Sequence, residues 1–137
     1  KERKDILSKI KIDIIENASN EEVLKLIIES SFVLHLNYGD PCPNFICEAI
    51  SYGKPSILND IGGAKEIALN SSIIPKNKTI IEEQYMPKIN DCLNSIDFMI
   101  KNYAYYRKNA EKRAKQISID HYIKNHIKII ENLWKIE

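Results

Sequence analysis

The chain has 137 residues, 44% hydrophobic and 28% charged, with a formal net charge of +1. That is one globular domain, large enough to close one core, and its charge supplies no global field for nucleic acid. Three cysteines without a Cys-x-x-Cys pair argue against a disulfide scaffold and a structural zinc site, and point to a reduced, cytoplasmic setting.

Apolar runs stop at four or five residues, far short of the roughly 20 that span a bilayer. The charged start "KERKD" has no signal-peptide core. A soluble chain is expected, with peripheral contact at the inner face of a membrane left open.

In chain order, "DILSKI" suits the end of a helix and "IDII" (12–15) a short β-branched strand. "SNEEVLKLIIESS" predicts a helix near 20–30. Ser19 and Glu22 form a capping box ahead of Val23, Leu24, Ile27 and Ile28 on one face. "FVLHL" (32–36) is continuously apolar, as a strand covered on both faces tends to be.

"FICEAISY" repeats apolar residues at helical spacing and predicts a helix near 44–52, which Gly53 ends and Pro55 prevents from continuing. "SIL" (56–58) predicts a strand, and "NDIGGAKEIAL" a glycine turn into a helix near 63–69. Strand and helix alternate, which is the rhythm of an α/β parallel sheet with flanking helices.

From about residue 84 the character changes. "MPKINDCLNSIDFMIKN", "YAYYRKNAEKRAKQ" and "SIDHYIKNHIKIIENLWKIE" predict three consecutive helices, the last capped by Ser118 or Asp120. The stripe Ile123, Ile127, Ile130 and Trp134 predicts that this last helix packs back across the domain.

The stretch "NYGDPCPNFICEAISYGKP" (37–55) lies where open parallel sheets collect ligands, at the carboxyl end of a strand and the N-terminus of a helix. Pro41 and Pro43 stiffen the approach without costing a helical hydrogen bond. The free N–H groups of Asn44 and Phe45 would then face an incoming phosphate or hydroxyl. A carboxylate at Glu48 can accept two hydrogen bonds from a vicinal diol such as a ribose. On spacing alone, Glu48 reads as a surface or salt-bridged helix glutamate, and Asp40 as a capping or turn aspartate.

An acid, seven residues, Glu-Ala, then "GKP", a strand and "D-x-G-G-x-x-E" resembles the donor half of the family 4 glycosyltransferases. The matching residues are Asp40, Glu48, Ala49, Gly53, Pro55, Asp60, Gly62, Gly63 and Glu66. That resemblance implies a Rossmann-like sheet in the C-terminal lobe of a GT-B fold, with residues 1–137 as an incomplete donor-binding domain ending in three helices. It implies transfer of a sugar from a nucleotide diphosphate sugar to an acceptor hydroxyl with retention of configuration, and no metal or other cofactor. Glu48 would hold the ribose hydroxyls, while Asp40, the catalytic candidate, would contact the transferred sugar. Asn44 and Phe45 complete the donor-binding set. Where relatives commonly carry Gly-aromatic-Gly, this chain has Pro-Cys-Pro, so Asn44 would supply a side-chain amide in place of one backbone donor.

The phosphate-binding Arg and Lys of that family, the first strands of its donor lobe and its N-terminal acceptor lobe have no match here. The expectation is a C-terminal fragment of a protein of roughly 350 to 400 residues, inactive alone and self-associating through an unprotected sheet edge. The acceptor would be a glycan, a lipid-linked sugar or a small molecule, in polysaccharide or glycan biosynthesis. Alternatives are a noncatalytic nucleotide-sugar binding module and a flavodoxin-like signalling domain, the latter wanting an acidic cluster that Asp40 and Asp60 do not make. The Lys and Arg residues of 101–115, with Tyr103, Tyr105 and Tyr106, read as a solvated helix face ahead of a lipid or RNA surface. His35, His121 and His126 have no metal-like grouping, and Cys42 reads as a packed thiol ahead of a nucleophile.

Overall fold

The computed structural model describes residues 12–37, 39–76 and 87–134. The helix end expected at 5–10 lies outside the described residues.

Helix α1 (Asn20–Glu29) starts as its sequence predicts. The Glu22 N–H donates to Ser19 Oγ at 3.3 Å, and Glu22 Oε2 accepts from the Ser19 N–H at 2.8 Å. The bond from the Ser19 backbone, more than that from its hydroxyl, holds the Glu22 carboxyl below its usual range. The far end of α1 is tied down by Lys54, whose ammonium donates to the carbonyls of Ile28 and Ser30, both at 2.7 Å.

Strands β1 (Val33–His35), β2 (Ser56–Leu58) and β3 (Ser72–Ile73) form a parallel sheet in the order β1-β2-β3. Val33 pairs with Ser56 and His35 with Leu58; Ser56 in turn pairs with Ser72. The central strand β2 is buried throughout. Between the strands run α2 (Asn44–Ser51) and α3 (Ala64–Ala68), and a 3-10 turn (Leu69–Ser71) leads into β3. The chain is α/β, a parallel sheet flanked by helices.

One core cluster joins Ile27 of α1, Val33, Ile46, Ala49 and Ile50 of α2, Leu58, Ala64 and Ala68 of α3, and Ala110. Ile57 alternates to the opposite face of the sheet and is also fully buried. Helix α2 ends in a Schellman motif. Gly53, at φ 68°, donates to the Ile50 carbonyl at 2.8 Å, and the Lys54 N–H reaches Ala49 at 2.9 Å. Three helices follow, α4 (Ile89–Lys101), α5 (Tyr103–Gln116) and α6 (Ile119–Trp134). Helix α5 lies against α2 and the 3-10 turn, and Ser118 caps α6 by accepting from the His121 N–H at 3.3 Å.

Three expectations need correction. Residues 12–15 are not a strand: Ile12, Ile14 and Ile15 are exposed and make no ladder, because β-branched composition becomes a strand only beside a partner edge. The segment 32–36 is a shorter strand, at the edge of the sheet among the described residues, with Leu34 47% exposed and so covered less than its apolar run implied. Helix α6 does not pack back. Every described residue in it is exposed, including Ile123, Ile127, Ile130 and Trp134. The core it was expected to close is already closed by Ala110, Ala114 and Ile117 at α5 and its end.

Candidate functional site

The loop leaving β1 turns at Gly39, φ 73°, and is held by Asp40, whose Oδ1 accepts from the Cys42 N–H at 3.1 Å. Pro43 is the N-cap of α2 and offers no side-chain cap. Its carbonyl accepts from Ile46 at 3.0 Å and Cys47 at 3.3 Å. Asn44 and Phe45 precede these two and stand at the open end of the helix, where N–H groups have no intrahelical acceptor.

A second loop abuts this one. The Gly63 N–H donates to the Asp40 carbonyl at 3.2 Å, and Gly62 adopts φ 84°. A Cβ on Gly62 would collide with the Asp40 carbonyl, and one on Gly63 with the Pro41 carbonyl. The glycine pair, which the sequence marks as a turn, is what lets the two loops pack backbone to backbone. Asp60, next to this pair, holds Lys65 in a 2.8 Å ion pair.

Between these loops lies an open cleft of about 670 Å³. Its walls are Pro41 and Cys42, then Cys47, Glu48 and Ser51 of α2, Gly63 and Glu66 by α3, and the end of α5 with Arg113 and Ile117. Glu48 is half-buried in this wall. Burial, more than its neighbours Cys42 and Glu48, pushes the Cys47 thiol above its usual range.

The other expected site residues are arranged differently. Asp40 turns its carboxylate toward His35, with Oδ2 at 4.0 Å from Nε2. The Phe45 ring stacks on His35 at 5.8 Å between centroids and lines a separate apolar hollow with Ile15, Val23 and Val33. Of the four expected site residues, only Glu48 lines the cleft; Asp40, Asn44 and Phe45 do not. Asn44 is exposed beside Phe45. His35 is largely buried and its Nε2 makes no hydrogen bond among the described residues; burial pulls its pKa down and Asp40 partly opposes this.

Arg113 went unrecognised among the basic residues of 101–115. It turns inward, donating from Nε to the Ile67 carbonyl at 2.7 Å and from Nη2 to Glu66 at 3.0 Å, which fastens α5 to α3 at the cleft wall. No periodicity marks such a residue, because its partners are backbone carbonyls of another element. Arg107 pairs with Glu111 at 3.0 Å, while Lys101, Lys108, Lys112 and Lys115 face solvent. Among the described residues no group of three or more His, Cys, Asp and Glu could hold a metal ion, and no helix is long and apolar enough to cross a membrane.

No family model matches the chain, and no curated protein does. Among solved structures it is similar to a sucrose-phosphate synthase from Thermosynechococcus elongatus, with a TM-score of 0.62 and 14% identity over 98% of this chain. At that identity the likeness is one of fold. The chain spans 34% of the length of that protein.

Proposed function

We propose that residues 1–137 are the donor-nucleotide lobe of a retaining GT-B glycosyltransferase, which transfers a sugar from a nucleotide diphosphate sugar to an acceptor hydroxyl. The observation that carries this is the cleft beside the loop that follows β1, with Glu48 in its wall. The fold likeness supports it, since a sucrose-phosphate synthase is named for a product made of sugars.

In this reading Glu48 accepts hydrogen bonds from both ribose hydroxyls. The N–H groups of Asn44 and Phe45 face the diphosphate, where negative charge grows as the glycosidic bond breaks. Asp40 already accepts one bond from Cys42, and its remaining lone pairs meet hydroxyls of the sugar. Gly62 and Gly63 hold that loop against α3. Transfer also needs further phosphate donors and an acceptor site. The acceptor is a glycan, a lipid-linked sugar or a small molecule. No cofactor is required besides the donor, and the setting is cytoplasmic.

A panel of nucleoside diphosphates and their sugar conjugates, titrated into isotopically labelled chain, tests the reading. Amide shifts at Asn44, Phe45 and Glu48 that saturate with a nucleoside diphosphate support it. Shifts absent there, or the same with a plain phosphate as with a nucleoside diphosphate, reject it.

A further inference from the structure

Cys42 and Cys47 stand in a relation that the cleft's ligand chemistry does not use. With Pro43 as N-cap of α2, Cys42 is the residue before the cap and Cys47 the fourth of the helix. In that register two side chains meet across the first helical turn, a position usually filled by an apolar pair. Here two thiols fill it. Both line the same cleft. Pro41 and Pro43 flank Cys42 and restrict its backbone. The third cysteine, Cys92, lies on α4 and outside that cleft.

A disulfide needs Cα atoms within about 7 Å and Cβ vectors that converge. Side chains that already meet across one turn satisfy the second condition without moving the backbone far. The two thiols also differ in access: Cys42 is exposed, whereas Cys47 is half-buried. We infer that Cys42 and Cys47 form a redox-active dithiol that closes to a reversible disulfide in the cleft wall, with a low-molecular-weight disulfide as oxidant.

The chemistry proceeds by two exchanges. Cys42, deprotonated to solvent, attacks one sulfur of the oxidant, whose S–S bond breaks and releases one thiolate, leaving a mixed disulfide on Cys42. Cys47 then gives up its proton and attacks Cys42 Sγ, the mixed bond breaks, and a second thiolate leaves. The protons lost by the two cysteines are balanced by those taken up by the two released thiolates. In sum, two protein thiols and one disulfide become one protein disulfide and two small thiols. Burial keeps Cys47 protonated, which leaves the first attack to the exposed Cys42. Closure ties the loop that carries Asp40 to the helix that carries Glu48, so the oxidation state sets the freedom of the cleft mouth. The inference holds whatever ligand the cleft takes.

The test is incubation of the reduced chain with oxidised glutathione, then intact mass and peptide mapping under non-reducing conditions. The wild-type chain and Cys92→Ser should lose two hydrogens and yield a Cys42–Cys47 cross-linked peptide, which dithiothreitol reopens. Cys47→Ser should retain glutathione on Cys42, because the resolving thiol is gone. Free thiols at both Cys42 and Cys47 after incubation, glutathione persisting on wild-type Cys42, or a bridge to Cys92 would each overturn the inference.

Discussion

Gly63 donates its N–H to the carbonyl of Asp40 at 3.2 Å, so the turn before α3 is bonded directly to the loop that carries the site's first acid. Neither residue needs its side chain for this. The bond is possible because position 63 has no Cβ, which would meet the Pro41 carbonyl.

Gly63→Ala should therefore push the two loops apart and cost about 1–3 kcal/mol, the usual penalty of forced overpacking. Gly62→Ala should also destabilise, since its φ of 84° suits few L side chains and its Cβ would meet the Asp40 carbonyl. Urea unfolding of both variants checks this. Midpoints equal to wild type would mean that the loops do not depend on each other.

Arg113 offers a second test. Replacing it with Met keeps much of the stem but removes two charge-assisted bonds to the carbonyls of Glu66 and Ile67. A loss of about 2 kcal/mol is expected. Lys112→Met, on the solvent side of the same helix, should change stability by less than about 0.5 kcal/mol. Equal effects from the two would remove the special role of Arg113.

His35 predicts a pH dependence. Burial favours its neutral ring and outweighs the attraction of Asp40, so the folded state takes up a proton less readily than the unfolded chain. Its contribution is full above the unfolded value of about 6.5 and is lost as pH falls toward the lower folded value. His35→Gln should flatten the fall in melting temperature between about pH 7.5 and about pH 5.5. Asp40→Asn should steepen it, because the opposing charge is gone. Parallel curves for all three proteins would contradict the sign.

Much of this architecture was legible in the chain itself. The capping box of Ser19 and Glu22, the Gly53 stop and the periodicity of Ile46, Ala49 and Ile50 are local signals, and each is found where its residues imply. The failures are tertiary. Residues 12–15 have strand composition without a ladder, and β3 has a ladder with too few residues to show a period. The stripe on α6 is real as a pattern, yet whether a stripe is buried depends on a surface that no local signal describes. Around the cleft, Glu48 was visible as an acid at a helix start. Arg113 and the backbone contact of Gly63 were not, because their partners are carbonyls remote in sequence.

That exposed stripe carries a further prediction. Ile123, Ile127, Ile130 and Trp134 lie open to solvent, and Leu34 sits on a strand at the edge of the sheet among the described residues. The isolated chain should self-associate as its concentration rises. Sedimentation velocity over a concentration series checks this, and Ile127→Lys with Ile130→Lys should shift the distribution toward monomer. A clean monomer at every concentration would contradict it.

The central claim concerns Glu48 and a ribose. Two charge-assisted hydrogen bonds to the vicinal hydroxyls are worth roughly 3 kcal/mol together, or about 100-fold in affinity. The most direct measurement is calorimetric titration of the wild-type chain and Glu48→Ala with a nucleoside diphosphate and its 2′,3′-dideoxy counterpart. Alanine is well tolerated inside a helix, so the variant should melt within about 2 °C of wild type. The account predicts that wild type prefers the ribonucleotide by about 100-fold and that Glu48→Ala binds both ligands equally. A wild-type chain indifferent to the two hydroxyls, or a preference that survives in Glu48→Ala, would contradict it.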